Sequence, residues 1–469
     1  MSDIRFIQKK LDIDSNKLLS LLTNNSTGFL LESSLDNHNL GRYSFFGVRP
    51  FLTVEYKNGV ITKNKNGKTH KSKGNIFWAL RELLNKYQVD TGKNKSGIPF
   101  LGGAVGFMSY DLGFYIEKIK RENTADLDMP DLWFGFFDTA LCIDRYKNEL
   151  SIFSYGLSED NPASRKSCAD HKVKSILKEL DGLGDFKVSK KPCKQYKLKS
   201  NFTKKQYINA VDETLDYITR GDIYQINLSQ RFNTKTDLTT EELYYYLKKV
   251  FPVPFGGILK TEDFSLVSGS PERFIKYEGD SVITRPMKGT RPRFENSAMN
   301  KKLRKELELS KKDKAELLMI VDLERNDLGR VCDYGSVKVD SLRNIEEYNT
   351  VFQTTAEIRG RLYPDRDRID VIKACFPGGS ITGCPKIRAM QIIEELEPTR
   401  RSFYTGSLGY FSFSGSMDFN ILIRSFLKKD KDIYFGVGGG IVYDSDPESE
   451  YEETLVKAKA LMQALRGGS

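Results

Sequence analysis

The chain has 469 residues, 39% of them hydrophobic and 12% aromatic, enough to bury a full core in two or more compact units or in one large intertwined domain. Its longest apolar runs, such as 317–321, are far too short to cross a bilayer, and its first residues lack a signal-peptide pattern, so a cytoplasmic protein with no membrane partner is expected. Lys and Arg number 73 against 63 Asp and Glu, a formal charge of +10 that suits a small anionic substrate and leaves nucleic acid open.

In chain order, the run from Thr27 to Ser34 is apolar and strand-like. Alternation from Phe51 to Ile61 around Lys57-Asn58-Gly59 predicts a hairpin, and the lysine-rich stretch 63–73 after it an exposed loop. Ile76 to Tyr87 has helical spacing, with Trp78, Leu80, Leu83 and Leu84 as its apolar stripe. The small residues of 99–107 predict a strand that other backbone approaches closely. Trp133–Ile143 and Glu149–Tyr155 predict two paired strands, and Asp170–Leu180 a helix. Six lysines within 187–199 mark a linker, dividing the chain into an N-terminal segment (1–186), the linker (187–200) and a functional half (201–469). That half opens with an N-cap at Thr203 and a helix to Arg220, then a turn into a strand over 221–230 and a helix from Thr240 to Val250.

Cys142, Cys168, Cys193, Cys332, Cys375 and Cys384 form no C-x-x-C pair and read as free thiols in a reducing compartment. The histidines, His38, His70 and His171, all precede the glycine-rich segments and assemble no triad with them. Any catalysis falls to carboxylates and lysine.

The stretch 283–293 starts as a β-type run and breaks at Pro286 and Gly289, fixing the backbone around Lys288. Arg285, Arg291 and Arg293 crowd that lysine with like charge, which disfavours its proton and would make it a nucleophile. A solvated basic loop is the competing reading.

Glu272 lies just before this hairpin, beside Arg273, where a surface ion pair is the default. Glu316 sits on a helix beginning near Asp313, on a stripe with Met319, Ile320 and Leu323; a carboxylate there must be paired, protonated or bound to a metal. Glu450 and Glu453 share a helix face and could hold one cation between them and Glu316, for which Mg²⁺ suits the oxygen donors. Equally, glutamates in a first turn complement the helix dipole.

Two glycine-rich segments could receive an anion. Residues 377–386 lead into a helix with Pro385 at its first position, and free N–H groups with Thr382 and Lys386 would make a carboxylate or phosphate cradle. The G-K-[ST] of a P-loop is missing. In 435–442 the glycines would let a ligand reach the strand backbone, or mark a bulge. Between them, Met417–Ser425 reads as a strand placing Asp418, Asn420, Leu422 and Arg424 on one face, with Arg424 available to a carboxylate.

Together Pro286-Met287-Lys288-Gly289-Thr290-Arg291-Pro292-Arg293, 320–329, 378–390 and 438–445 resemble the chorismate-utilising enzyme family over most of 200–465. Lysine before Gly289 is similar to the branch that forms aminodeoxychorismate, where the anthranilate-forming branch carries alanine. The resemblance implies an α+β fold, with large antiparallel sheets packed face to face, helices outside, and the N-terminal segment in the common core. It implies Lys288 as the nucleophile at ring carbon 2 of chorismate, Glu272 as acid/base, and Thr290 in the catalytic set. Glu316 and Glu453 match Mg²⁺ ligands, with Glu450 beside them. Thr382, Gly383, Tyr404, Arg424, Gly438, Gly439, Gly440 and Lys457 match the group holding the substrate carboxylates. Leu31, Glu32 and Ser33, with Pro254 and Phe255, match the region of the family's tryptophan pocket. Gln353 stands where many relatives have histidine, and cannot shuttle protons at neutral pH.

The implied activity is amination of chorismate to 4-amino-4-deoxychorismate, on the route to p-aminobenzoate and folate. The sequence holds no Gly-x-Cys-x-Gly nucleophile elbow, so ammonia is expected from a glutamine amidotransferase partner subunit. Anthranilate formation, with tryptophan inhibition, is the nearest alternative. An isochorismate- or salicylate-forming enzyme needs no nitrogen source. A nucleic-acid binder lacks an aromatic-plus-basic motif.

Overall fold

Strands from both ends of the chain share each of two twelve-stranded sheets whose ladders are antiparallel. The computed structural model describes residues 5–9, 14–35, 40–89, 97–188, 196–348 and 351–467. In the first sheet Gly28–Glu32 pairs with Phe255–Lys260, and Asp432–Ile441 with Gln225–Lys235. In the second, Gly103–Met108 pairs with Ser407–Ser412, while Met287–Pro292 and Ser281–Arg285 both flank Val351–Arg361.

The sheets face each other across the largest apolar cluster, where Phe45 meets Tyr410 at a 5.7 Å ring separation and Phe107 meets Phe264 at 5.4 Å. Successive strand residues point to opposite faces. Accordingly Phe29 enters this inter-sheet core, while Leu30 joins a second cluster beneath helices Ser15–Thr23, Thr240–Val250 and Pro447–Leu465. Capping boxes start helices Lys204–Thr219 and Thr240–Val250, from Thr203 and Thr239. Among the described residues no helix is long and apolar enough to cross a membrane. Cys142, Cys168, Cys332, Cys375 and Cys384 are free thiols; Cys193 and the middle of the expected linker, 189–195, lie outside the described residues.

Several expected elements differ. The stretch after Lys63 is no loop: Val60–Lys65 and Lys68–Lys73 form a hairpin through Asn66 and Gly67, both at positive φ, and its lysines protect an edge strand. Trp78 is 59% exposed, and the buried stripe runs through Ile76, Phe77, Ala79, Leu80, Leu83 and Leu84. The apolar run from Trp133 splits into Leu132–Phe137 in the second sheet and Thr139–Asp144 in the first. The chain crosses at Asp138, whose buried carboxylate takes two 2.8 Å bonds from Lys172. Met417–Ser425 is likewise interrupted: Met417–Asn420 belongs to the second sheet, Ser425–Lys429 to the first, and Arg424 lies in the crossing at φ +50°. Pro286 and Gly289 do not end the β-structure, because Met287–Pro292 continues it.

Candidate active site

Lys288 is held by a bulge. It pairs with Thr354 and Thr290 with Gln353, so Gly289 is the extra residue, at φ +78°. The first carbon of any side chain there would lie 2.8 Å from Thr354 Oγ1, and that hydroxyl donates to the Lys288 carbonyl. The amine so presented has its pKa lowered chiefly by burial, with Lys457 adding to the effect and Glu316, Glu272 and Glu453 opposing it. The arginine crowding expected from the sequence is absent. Arg285 pairs with Glu346, Arg291 with Glu306 and Asp313, and Arg293 donates to the Tyr348 carbonyl.

Glu272 lies where the chain passes from strand Ser265–Ser270 to Arg273–Glu278, and is 4% exposed. The Ser380 hydroxyl donates to its Oε1 at 2.5 Å. Burial pushes Glu272 up to about 7, against the pull of Ser380, Lys288, the Met287 N–H and Arg424. Arg273 turns away into a two-pronged 3.0 Å pairing with Asp418, so the default surface pair does not form.

The floor is the strand carrying Gly438, Gly439 and Gly440, opposite Ser229, Leu228 and Asn227 in unbroken register, so no bulge explains these glycines. A side-chain carbon on Gly440 would lie 2.7 Å from Gln225 Nε2 and 3.4 Å from Lys288 Nζ. One on Gly439 would lie 3.0 Å from Glu450 Oε2 and 3.7 Å from Glu453 Oε1. The missing side chains thus let the lysine and the acids converge on backbone. Glu450 accepts from Ser445 Oγ at 2.6 Å, while Glu453 pairs with Lys457, whose Nζ also donates to the Gly438 carbonyl. Burial raises Glu450 and Glu316; in Glu453 the attraction of Lys457, Lys312 and Lys288 outweighs burial and lowers it. Among the described residues no three His, Cys, Asp or Glu side chains enclose a metal-sized space.

The opposite wall is the loop 378–384. The Thr382 hydroxyl donates into that loop, to the Gly378 carbonyl at 2.9 Å with the Gly379 carbonyl further off at 3.2 Å, and its own carbonyl accepts from Asn227 N at 2.7 Å. Gly383 has a Gln225 carbonyl 2.2 Å from where a side chain would start. Both residues dock the loop on the floor. Lys386 instead points behind the site to Asp327 at 2.5 Å, and Pro385 caps helix Lys386–Leu396 rather than opening it. Tyr404 is buried with its ring against Gly436. Arg424 stacks on Phe251 at 4.0 Å, and burial takes it down to about 10. Its Nη1 is covered and has no partner among the described residues, which equips it for an anion.

The structure adds groups that the sequence reading passed over. Gln225 is buried with Oε1 unpartnered among the described residues, and Ser380 holds Glu272. The alternation of Gln225, Asn227 and Ser229 with Ile226 and Leu228 was the available signal. Gln353 donates to exposed Thr290 Oγ1 at 3.3 Å, and its own Oε1 is unpartnered among the described residues.

Away from this cleft, Glu32 pairs with Gly256 in register, which brings the 31–33 and 254–255 segments together. Their side chains diverge. Glu32 meets Lys248 at 3.2 Å and, with Ser33, borders a cavity of about 510 Å³, whereas Leu31 packs into the inter-sheet core and Phe255 lies under Arg273. Pro254 is buried.

The family model for chorismate binding enzyme matches residues 37–463. Aminodeoxychorismate synthase component 1 of Bacillus subtilis is 37% identical over 435 residues, covering 92% of this chain and 91% of that protein. Anthranilate synthase component 1 of Acetivibrio thermocellus is 35% identical over 446 residues, covering 93% and 90%. The crystal structure of anthranilate synthase component I from Streptococcus pneumoniae superposes with a TM-score of 0.80 at 29% identity, covering 91% of this chain and 93% of that one.

Proposed function

We propose, from the premise that this chain belongs to the chorismate-binding enzyme family, that it aminates chorismate to 4-amino-4-deoxychorismate. The observation carrying this reading is the Lys288 amine, desolvated and facing the glycine floor with Glu272 nearby. Lowering its pKa brings the Lys288 amine closer to the neutral, nucleophilic form, and a buried carboxyl near 7 still carries a proton to give. Neutral Lys288 would bond to ring carbon 2 as the carbon 4 hydroxyl leaves, taking the Glu272 proton and departing as water. Ammonia would then bond to carbon 4 and expel the lysine. Arg424, with Tyr404 and Lys457 beside the glycine floor, would hold the two substrate carboxylates.

The donor set fits Mg²⁺. It offers hard oxygens only, Glu450 and Glu453 converge over Gly439, and this ion commonly takes one or two protein carboxylates and completes its shell from substrate and water. Glu450 and Glu453 would hold it, with Glu316 the further acid that the resemblance implies, and when bound it would neutralise a substrate carboxylate. Ammonia would come from a glutamine amidotransferase subunit. The relatives of comparable identity named anthranilate synthase favour a second reading, ortho-amination, in which Lys288 has no covalent role.

The test is peptide mass spectrometry after incubation with chorismate and Mg²⁺ but no ammonium. A Lys288 peptide heavier by chorismate less one water, discharged on adding ammonium, supports the lysine route; turnover with no adduct at Lys288 contradicts it.

A further inference from the structure

Behind Glu272, the Thr284 hydroxyl oxygen lies 2.7 Å from the Phe274 carbonyl and 2.7 Å from Glu324 Oε2. A hydroxyl has one proton, and a carbonyl has none to give. Were Glu324 a carboxylate, Thr284 could bond one acceptor and would oppose lone pairs with the other. Both contacts are hydrogen bonds only if Glu324 supplies its own proton. The Phe274 carbonyl lies where its strand is bulged and both ladder registers skip Phe274, and the Thr284 hydroxyl is the side-chain group that reaches it.

The surroundings agree. Glu324 is buried on helix Lys311–Gly329. The groups facing it are Thr284, Glu272, Asp327 and Lys386; burial lifts it to about 8, the two acids add to this, and Thr284 and Lys386 oppose it. Lys386 is committed to Asp327 at 2.5 Å. The adjoining void, between Phe274, Thr284 and Gly379, is about 10 Å³, at most one water's worth of hydration for a charge. Glu324 also backs the loop that serves Glu272: a side-chain carbon on Gly379 would lie 3.4 Å from Glu324 Cγ, and the next residue is Ser380.

We propose that Glu324 is carried as a neutral carboxylic acid behind Glu272, a positioning residue whose proton orients Thr284 and keeps a second negative charge out of the pocket that holds Glu272. Its role toward Glu272 rests on the amination reading; its protonation does not. If Glu324 ionised, Thr284 would swing its proton to it, the Phe274 carbonyl would lose its donor, and two anions would share one dry region.

Infrared spectroscopy of the whole chain tests this without chorismate. We expect a protonated-carboxyl band at neutral pH that Glu324→Gln removes, with a midpoint well above the ordinary glutamate range. In Glu272→Gln that midpoint falls, because the neighbouring charge is gone. Urea unfolding gives a second readout. An acid held neutral by the fold destabilises the native state progressively as pH rises from its unfolded pKa, roughly 4.3, to its folded one. Glu324→Gln therefore gains on the wild type across that window, by up to about tenfold in unfolding constant per pH unit, and then levels off. A missing Glu324 band, or a pH-independent difference between the two proteins, would overturn the neutral acid. A midpoint unmoved in Glu272→Gln would overturn its coupling to Glu272. Failure of the amination assay alone would leave both measurements standing.

Discussion

The Lys288 amine ends 3.4 Å from the point where a side chain on Gly440 would begin, and the Gln225 amide nitrogen ends 2.7 Å from the same point. Both are tips of flexible side chains; the amine at 3.4 Å is in ordinary contact, whereas the amide at 2.7 Å must move, so Gly440→Ala should fold normally while displacing Gln225 from the floor beside the amine. We expect kcat/KM to fall by up to about 10²-fold, as for an ångström-scale misplacement, with an unchanged melting curve. Steady-state kinetics beside thermal unfolding checks this, and wild-type turnover would take Gln225 out of the working site.

The pH profile follows from two opposed groups. On the proposed lysine route Lys288 has to lose its proton to attack, so the rate rises with pH on that account, and Glu272 has to keep its own to assist the leaving hydroxyl, so the rate falls as pH passes about 7. The predicted kcat/KM profile for chorismate, at saturating free ammonia, is a bell. Glu272→Gln should cost 10²- to about 10⁴-fold and abolish the alkaline limb. An alkaline limb that survives in this variant would assign it to another acid.

Glu453 is the acid that the site keeps charged, and Lys457 is its present counter-ion at 2.6 Å. Glu453→Gln should raise the Mg²⁺ concentration for half-maximal rate by roughly 10- to 100-fold, on the scale of losing a supporting ligand interaction. Chelation should stop turnover without altering the circular dichroism spectrum. Titration of activity against free Mg²⁺ measures both, and an unaltered requirement in the variant would remove Glu453 from the metal set.

The motifs were legible because their chemistry depends on residue type: a lysine before a glycine, three consecutive glycines, acids three apart on a helix. The resemblance added roles that spacing alone left open. The sheet crossings at Asp138 and 421–424 were not legible, because apolar alternation continues through them while the chain changes sheets. Charge was misread for a related reason. The arginines near Lys288 in sequence find carboxylates or a carbonyl distant in sequence, so desolvation, not repulsion, lowers its pKa. Thr382 and Lys386 are adjacent to the cleft in sequence, yet spend their donors on the loop and on Asp327.

The crossing at Asp138 gives a stability prediction. Its carboxylate is almost fully covered and receives Lys172 and the Ser158 N–H. Asp138→Ala leaves Lys172 only the Ser158 hydroxyl and solvent, and leaves the Ser158 N–H without its acceptor, at a cost of about 1–3 kcal/mol. Urea denaturation should show a lower midpoint with an unchanged slope; a midpoint within error of the wild type would mean that the pair is replaced by water.

Product identity separates para-amination from ortho-amination in one experiment. The purified chain is given chorismate, Mg²⁺ and ammonium at mildly alkaline pH, with and without a lyase specific for aminodeoxychorismate, beside Lys288→Ala. p-Aminobenzoate is expected only when the lyase is present, with none from Lys288→Ala. Anthranilate formed without the lyase, and persisting in Lys288→Ala, would contradict para-amination.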